Sequence, residues 1–149
     1  MIVIRIALVT LLLLLPSTVF GGAAEEGSAV IDRWASVFSA NDAEGVMKLY
    51  APDAILLGTV SPIIAEGTEP IRAYFARLPG SGNKVVIGER RTIILADGVV
   101  VSAGFYEFTI MRDGKALPNP ARFTMVLVKR GTDWLIVHHH SSARPKPPQ

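Results

Sequence analysis

Three consecutive histidines near the carboxyl end of the chain are the residues best suited to chemistry. They are the only histidines in the sequence, His138, His139 and His140, and two serines follow them. Because side chains alternate along a strand, His138 and His140 would share the face of Trp134, while His139 would lie on the other face. Two imidazoles at this spacing predict either a metal-chelating pair or hydrogen-bonding groups in a pocket wall.

A catalytic metal at His138 and His140 would need a third protein ligand. The chain has no cysteine and no further histidine, so Glu107 on a neighbouring predicted strand is the candidate. We therefore expect no cofactor, and a metal held by the two histidines is the alternative.

Two charged residues are the candidates for binding a substrate. Arg122 is an isolated charge on an otherwise apolar predicted strand. It either extends to solvent or enters a pocket, where its guanidinium could pair with an anion or with Glu107. We favour the pocket and expect Arg122 and Glu107 to contact substrate.

The first half of the chain predicts the helices that must position these groups. Apolar residues recur at helical spacing over 29–50, interrupted by Asn41 and Asp42, which are good N-cap residues, so we expect two helices there. A short apolar strand at 54–57 and a turn follow. Thr68 would cap a third helix that has Pro70 near its first turn.

After residue 83 the apolar period changes from 3.6 to 2, which is typical of strands. Turn residues separate four long predicted strands, at 84–95, 99–110, 121–129 and 134–141. Helices followed by consecutive antiparallel strands predict an α+β fold, in which a curled antiparallel sheet packs on the N-terminal helices and encloses a conical pocket.

The two ends of the chain are expected to lie outside this domain. Residues 1–24 combine an early arginine, an apolar core of about ten residues and a small-residue end, as in a secretory signal peptide, and this apolar core is too short to span a membrane. We assign 25–142 to the domain and 143–149 to a proline-rich extended tail. The protein would be exported, periplasmic or secreted, with no membrane partner after cleavage.

Composition narrows the class of protein further. Of the 149 residues, half are hydrophobic and 19% are charged, which excludes extended disorder. The absence of cysteine excludes disulfides, thiolate metal sites and a cysteine nucleophile. The basic residues are scattered without interleaved aromatics, so nucleic acid is not an expected partner.

Several motifs resemble the nuclear transport factor 2-like (cystatin-like, SnoaL-like) superfamily. Asn-Asp-Ala-Glu at 41–44, Ile-Arg-Ala-Tyr-Phe at 71–75 and the ending Trp-Leu-Ile-Val-His-His-His-Ser-Ser at 134–142 are similar to the calcium/calmodulin-dependent kinase II association-domain branch. Within that branch, Leu-Leu-Gly-Thr at 56–59 and Pro-Ala-Arg-Phe-Thr at 120–124 resemble iota-class carbonic anhydrases.

The resemblance to iota-class carbonic anhydrases implies a pocket that holds bicarbonate with Thr, Tyr and Ser hydroxyls and without metal. The matching residues here are Thr59, Tyr74 and Ser142, the last on the face of His138 and His140. Ser141, on the opposite face, is a candidate substrate contact. Neutral donors aimed at one point suit a planar oxyanion. Each hydroxyl also has a purely structural alternative, as a turn, core or strand-end group.

Three functions are compatible with these residues. The first is reversible hydration of CO2, and the second is a non-catalytic module that binds a small ligand and oligomerises. The third is a ketosteroid isomerase-like or dehydratase-like enzyme, with Tyr50 or Tyr74 and a carboxylate or His138 as acid and base. We also expect a homo-oligomer joined through the outer face of the sheet, because apolar residues on that face need cover. Val99, Val101, Leu127 and Val128 offer apolar area on one face or the other.

Overall fold

The computed structural model describes residues 20–146. Most of the predicted signal peptide, residues 1–19, and residues 147–149 of the predicted tail therefore lie outside the described residues. Within the described range the elements are α1 (Phe20–Ser39), α2 (Ala43–Met47), β1 (Tyr50–Leu57), β2 (Ala65–Glu66), α3 (Thr68–Phe75), β3 (Lys84–Ala96), β4 (Val99–Arg112), β5 (Lys115–Arg130) and β6 (Asp133–Ala143).

Helix α1 is amphipathic and fills the concave side of the sheet. Ile31, Trp34 and Phe38 recur at helical spacing and are buried, and the helix contacts β3, β4 and β6. The predicted break between two helices is confirmed: Asn41 adopts a positive φ of 59°, and the Asp42 side chain accepts a hydrogen bond from the Gly45 N–H at 2.8 Å. No helix among the described residues is long and apolar enough to span a membrane.

The six strands form one sheet in the order β2-β1-β6-β5-β4-β3. The predicted α+β class and antiparallel meander are confirmed, because β3, β4, β5 and β6 pair with their chain neighbours in antiparallel fashion. The predicted short strand is longer, begins at Tyr50, and joins β6 in parallel. This parallel pairing brings the loop after β1 next to the end of β6.

Helix α3 differs slightly from expectation at its start. Gly67, with a φ of 81°, occupies the N-cap position, and Thr68 is the first helical residue. The positive φ favours glycine at this corner. Ile71 and Phe75 are buried on one side of the helix, which places Tyr74 beside them at the edge of the core.

A β-bulge in β6 is the main local departure from regular strand geometry. His138 pairs with Val126, and Ile136 pairs with Leu127, so β6 carries Val137 as one extra residue against β5. One inserted residue reverses which face every later side chain occupies. Trp134 and Ile136 therefore face the core before the bulge, whereas after it His139 faces the core.

The outer face of the sheet divides into two halves with different character. At the end near the β3–β4 turn it is apolar, and its half-buried residues are Val99, Val101, Val126, Val128 and Leu135. Leu127, the remaining member of the apolar set named from the sequence, is fully buried on the inner face. Toward the other end polar residues replace these valines, among them Thr124, Arg122, His140 and Ser142.

Candidate ligand-binding pocket

A cavity of about 570 Å³ opens between the inner face of the sheet, α1, α3 and the loop after β1. Its wall is mostly apolar, and the aromatic residues that contribute to it are Trp34, Phe38, Tyr74, Phe75, Tyr106 and Phe108. The Trp34 Nε1 atom is buried and has no hydrogen-bond partner among the described residues. The volume and the mostly apolar wall are typical of a site for a small molecule.

His139 is the buried imidazole at the base of this pocket. Its side chain is almost wholly buried, and its Nδ1 atom lies 2.7 Å from the Tyr50 hydroxyl. The Nε2 atom lies 3.4 Å from the Tyr106 hydroxyl. Burial, with a smaller contribution from the neighbouring His138 and His140, lowers the pKa of His139 to about 3. The ring is therefore neutral at physiological pH.

A chain of hydroxyl groups connects His139 with the open part of the pocket. The Tyr106 hydroxyl donates to Ser141 Oγ, and Ser141 Oγ in turn shares a hydrogen bond with Thr59 Oγ1. Burial raises the pKa of Tyr106 well above its usual value, so the phenol keeps its proton and can act as a donor. The chain ends at Thr59, which lies in a half-exposed position.

The parallel pairing of β1 with β6 places Thr59 in this chain. Leu56 pairs with His139 and Leu57 with His140, so the next residues of each strand run on side by side. Thr59 therefore reaches Ser141 although 82 positions separate them in sequence. Both residues line the pocket, together with Tyr74 from α3.

Gly58 allows Tyr74 to lie against the loop after β1. A Cβ atom at position 58 would overlap the Tyr74 ring and lie 2.5 Å from its hydroxyl oxygen. Burial raises the pKa of Tyr74, and hydrogen bonds from the backbone of Val60 and Thr59 offset part of that rise. Tyr74 is thus a neutral phenol held at the pocket wall by the lack of a side chain at Gly58.

The electrostatic character of the pocket is close to neutral. Among the described residues that line it, none is Asp or Glu, and Arg77 near the mouth is the one charged side chain. The polar groups deeper inside are hydroxyls and the neutral His139 imidazole. Such a site offers hydrogen bonds without a strong base, so it is suited to binding and orienting a small polar molecule.

The structure places three of the predicted catalytic residues outside this pocket. His138, His140 and Ser142 share one face, as their spacing predicted, but the bulge at Val137 turns that face outward. Thr59 and Tyr74 line the pocket as expected. Ser141, predicted only as a substrate contact, occupies the position that we expected for Ser142.

The expected placement of Arg122 and Glu107 inside the pocket is also wrong. Both are exposed on the outer face of the sheet, where the Arg122 Nε atom donates to Ser142 Oγ at 3.0 Å and Glu107 lies 3.9 Å from Arg144. Phe105 pairs with Arg122 and has the same orientation as Glu107 on β4. Tyr106 and Phe108, on either side of Glu107, take the inner face instead.

This geometry also removes Glu107 as a third metal ligand. His140 pairs with Thr124, which pairs with Ala103, so Glu107 is displaced by four residues, or about 13 Å, along β4. In the described part of the chain, no three His, Asp or Glu side chains lie close enough together to hold a metal ion. Among these residues, His138 and His140 therefore have no third side chain with which to hold a metal ion.

Two residues of this site, Tyr106 in the hydroxyl chain and His139 at its inner end, were not predicted from the sequence. The alternation around Glu107 contained a usable signal, because Phe105 and Glu107 on one face leave Tyr106 and Phe108 for the other. His139 had no comparable signal. Its face depends on a bulge, and a regular strand assigns it to the wrong side.

Residues 23–145 match the family of the calcium/calmodulin dependent protein kinase II association domain. A solved structure from Xanthomonas campestris, described as a candidate association domain of this kind, is 39% identical, with a TM-score of 0.75 over 80% of this chain and 86% of that one. No curated protein matches the chain.

More distant structures share the fold. The association domain of the C. elegans kinase is 18% identical and has a TM-score of 0.70, covering 85% of this chain and 100% of that chain. A nuclear transport factor 2-like superfamily protein from Salmonella enterica is also 18% identical, with a TM-score of 0.75 over 86% of this chain and 95% of that chain. These likenesses confirm the predicted nuclear transport factor 2-like, cystatin-like architecture.

Protonation of His139 should make the protein less stable in acid. The pKa of about 3 in the folded protein lies below the ordinary value of 6.5, so unfolded chains take up a proton that the folded protein does not. The stabilisation is complete above about pH 6.5 and is lost as the pH falls toward 3. Between pH 7 and pH 5, the parent should lose about 2 kcal/mol more unfolding free energy than His139→Gln.

Urea unfolding of parent and variant at the two pH values measures this difference. The comparison uses the change with pH, so any loss of stability that the substitution causes at pH 7 cancels. A second non-titrating replacement, His139→Asn, should show the same smaller loss. Equal losses in parent and both variants would show that His139 is not a buried neutral imidazole.

Proposed function

We propose, for a chain that belongs to the calcium/calmodulin-dependent protein kinase II association-domain family, that it is an exported small-ligand-binding module that assembles with copies of itself. The pocket beside His139 is the binding site. Its ligand is a small organic molecule with an apolar body and one or two polar oxygens. Export rests on the composition of residues 1–24.

The observation that carries this proposal is that one cavity combines an aromatic base with a group of hydroxyls in its wall. Its volume of about 570 Å³ lies in the range of small-molecule sites, and its base is aromatic. The hydroxyls of Thr59, Tyr74 and Ser141 lie in one part of the wall. An apolar base with a few polar groups would fix the orientation of a ligand without requiring it to carry charge.

A two-ring alcohol such as 1-naphthol is a suitable probe of this pocket. We expect saturable binding to the purified parent by isothermal titration calorimetry. Tyr74→Phe should weaken binding about fivefold, because it removes one hydrogen bond while keeping the ring.

The matched control for this experiment is Ser142→Ala. It removes a hydroxyl next to Ser141 in the chain, but one that lies on the outer face of the sheet. It should bind 1-naphthol as the parent does. A folded parent that shows no saturable heat would contradict the proposed pocket, and equal weakening by both variants would contradict the assigned site.

Self-association is proposed through the apolar half of the outer face. The half-buried valines there, including Val101 and Val128, would gain cover from the same surface of a second copy. Sedimentation velocity should show a dimer or larger assembly for the parent and a smaller species for Val101→Asp. Ile64→Asp, at a position 63% exposed outside this face, is the control and should assemble normally. A parent that is monomeric at micromolar concentration contradicts this interface.

A second candidate function, hydration of CO2, is favoured by one specific observation. Thr59, Tyr74 and Ser141 supply Thr, Tyr and Ser hydroxyls to one pocket, which is the set implied by the resemblance to iota-class carbonic anhydrases. A water oxygen would bond to the CO2 carbon, and a water proton would leave to the solvent buffer. The hydroxyls would donate to the oxygens on which negative charge develops.

Stopped-flow CO2 hydration, with and without chelator, tests this candidate. If it holds, Ser141→Ala should lower the rate by on the order of ten- to a thousandfold, since it removes a donor to the developing charge. Ser142→Ala should leave the rate unchanged. A parent with no hydration above background would remove this candidate and leave the binding function untouched.

A further inference from the structure

The residues that sequence reasoning assigned to the pocket, and that the bulge turns outward, come together at a second site. Arg122, His140 and Ser142 line a separate concavity of about 550 Å³ on the outer face of the sheet, in its polar half. Arg90 and Arg91 of β3 line the same space. We propose that this concavity binds a small-molecule oxyanion, such as a phosphate or carboxylate group.

Arg122 is the residue on which the site depends. Its Nε atom donates to Ser142 Oγ at 3.0 Å, which fixes the guanidinium while leaving the two terminal nitrogens available. Within the described residues, no carboxylate lies within 4 Å of it to form an ion pair. A guanidinium held at one edge presents parallel N–H groups that match two oxygens of an oxyanion.

The surrounding charges leave a net positive character at this point. Arg90 is paired with Asp32 of α1 at 2.6 Å, and Arg91 is paired with Glu89 at 2.9 Å. Glu107 is the other nearby acid on this face, and it lies 3.9 Å from Arg144. The acids near the site are thus associated with other arginines, and the charge of Arg122 is the one left for a ligand.

The backbone of β3 and β4 helps to form the concavity. The pairing of these strands is irregular between Ile87 and Arg90, next to Gly104 of β4. A Cβ atom at Gly104 would lie 2.8 Å from the Arg90 Cα, so glycine allows β3 to approach closely there. His140 and Thr124 supply further polar side chains at the opposite wall.

This site is independent of the inner pocket. Ser141 and Ser142 are adjacent, but strand alternation sends one hydroxyl to each side of the sheet. Binding at the outer site therefore requires no ligand in the cavity beside His139. The failure of either proposal leaves the other standing.

Titration with inorganic phosphate in a low-salt chloride buffer tests the outer site. By isothermal titration calorimetry, we expect saturable binding to the parent and affinity about tenfold weaker in Arg122→Ala. Arg122→Lys should fall between them, because it keeps the charge but loses the fork and the contact with Ser142. Arg112→Ala removes an exposed arginine at the far end of β4, outside the concavity, and should bind phosphate as the parent does.

The assembly state separates a ligand site from a contact between copies. Sedimentation velocity of the same variants, with circular dichroism to confirm folding, should show parent-like assembly for Arg122→Ala. Phosphate binding that is equal in Arg122→Ala and the parent would overturn the proposal. So would a folded parent with no saturable binding up to on the order of 10 mM phosphate.

Discussion

One extra residue in β6 determines which chemical groups enter the pocket. Val137 is unmatched against β5, and from that point the strand presents His139 and Ser141 to the interior and His138, His140 and Ser142 to the outside. The bulge thus divides the five polar residues of this segment between two surfaces. The hydrogen bonds of Tyr50 with His139 and of Thr59 with Ser141 both depend on that division.

Burying a histidine without a charged partner is stable only because its polar atoms are satisfied. Tyr50 lies at one ring nitrogen and Tyr106 at the other, while the Trp34 ring meets the imidazole edge-on with centroids 5.2 Å apart. Loss of any one hydroxyl would leave a buried polar atom without a partner. The neutral ring and its phenols therefore form a rigid base from which the Ser141 and Thr59 hydroxyls project.

The architecture could be predicted from the sequence because it depends on periodicity and turn chemistry. The change of apolar period after residue 83 identified the four long strands, and Asn41 with Asp42 identified the helix break. β5 begins at Lys115 rather than at the predicted residue 121, so it includes Pro118 and Pro120. β6 ends beside Ala121. Beyond that point this side of β5 is an edge, where proline removes no ladder hydrogen bond.

The site was less predictable, since it depends on register rather than on residue type. Thr59 and Tyr74 line the pocket, but they were expected there because of the family resemblance and not because of any pattern of apolar residues. For Ser141 and Ser142 the residue types are identical, and a single inserted residue upstream decides between them. The extra residue, Val137, also affects the outer side of the sheet. By turning Ser142 outward, it provides the acceptor that fixes Arg122, so that the inner hydroxyl chain and the outer basic concavity follow from one local distortion.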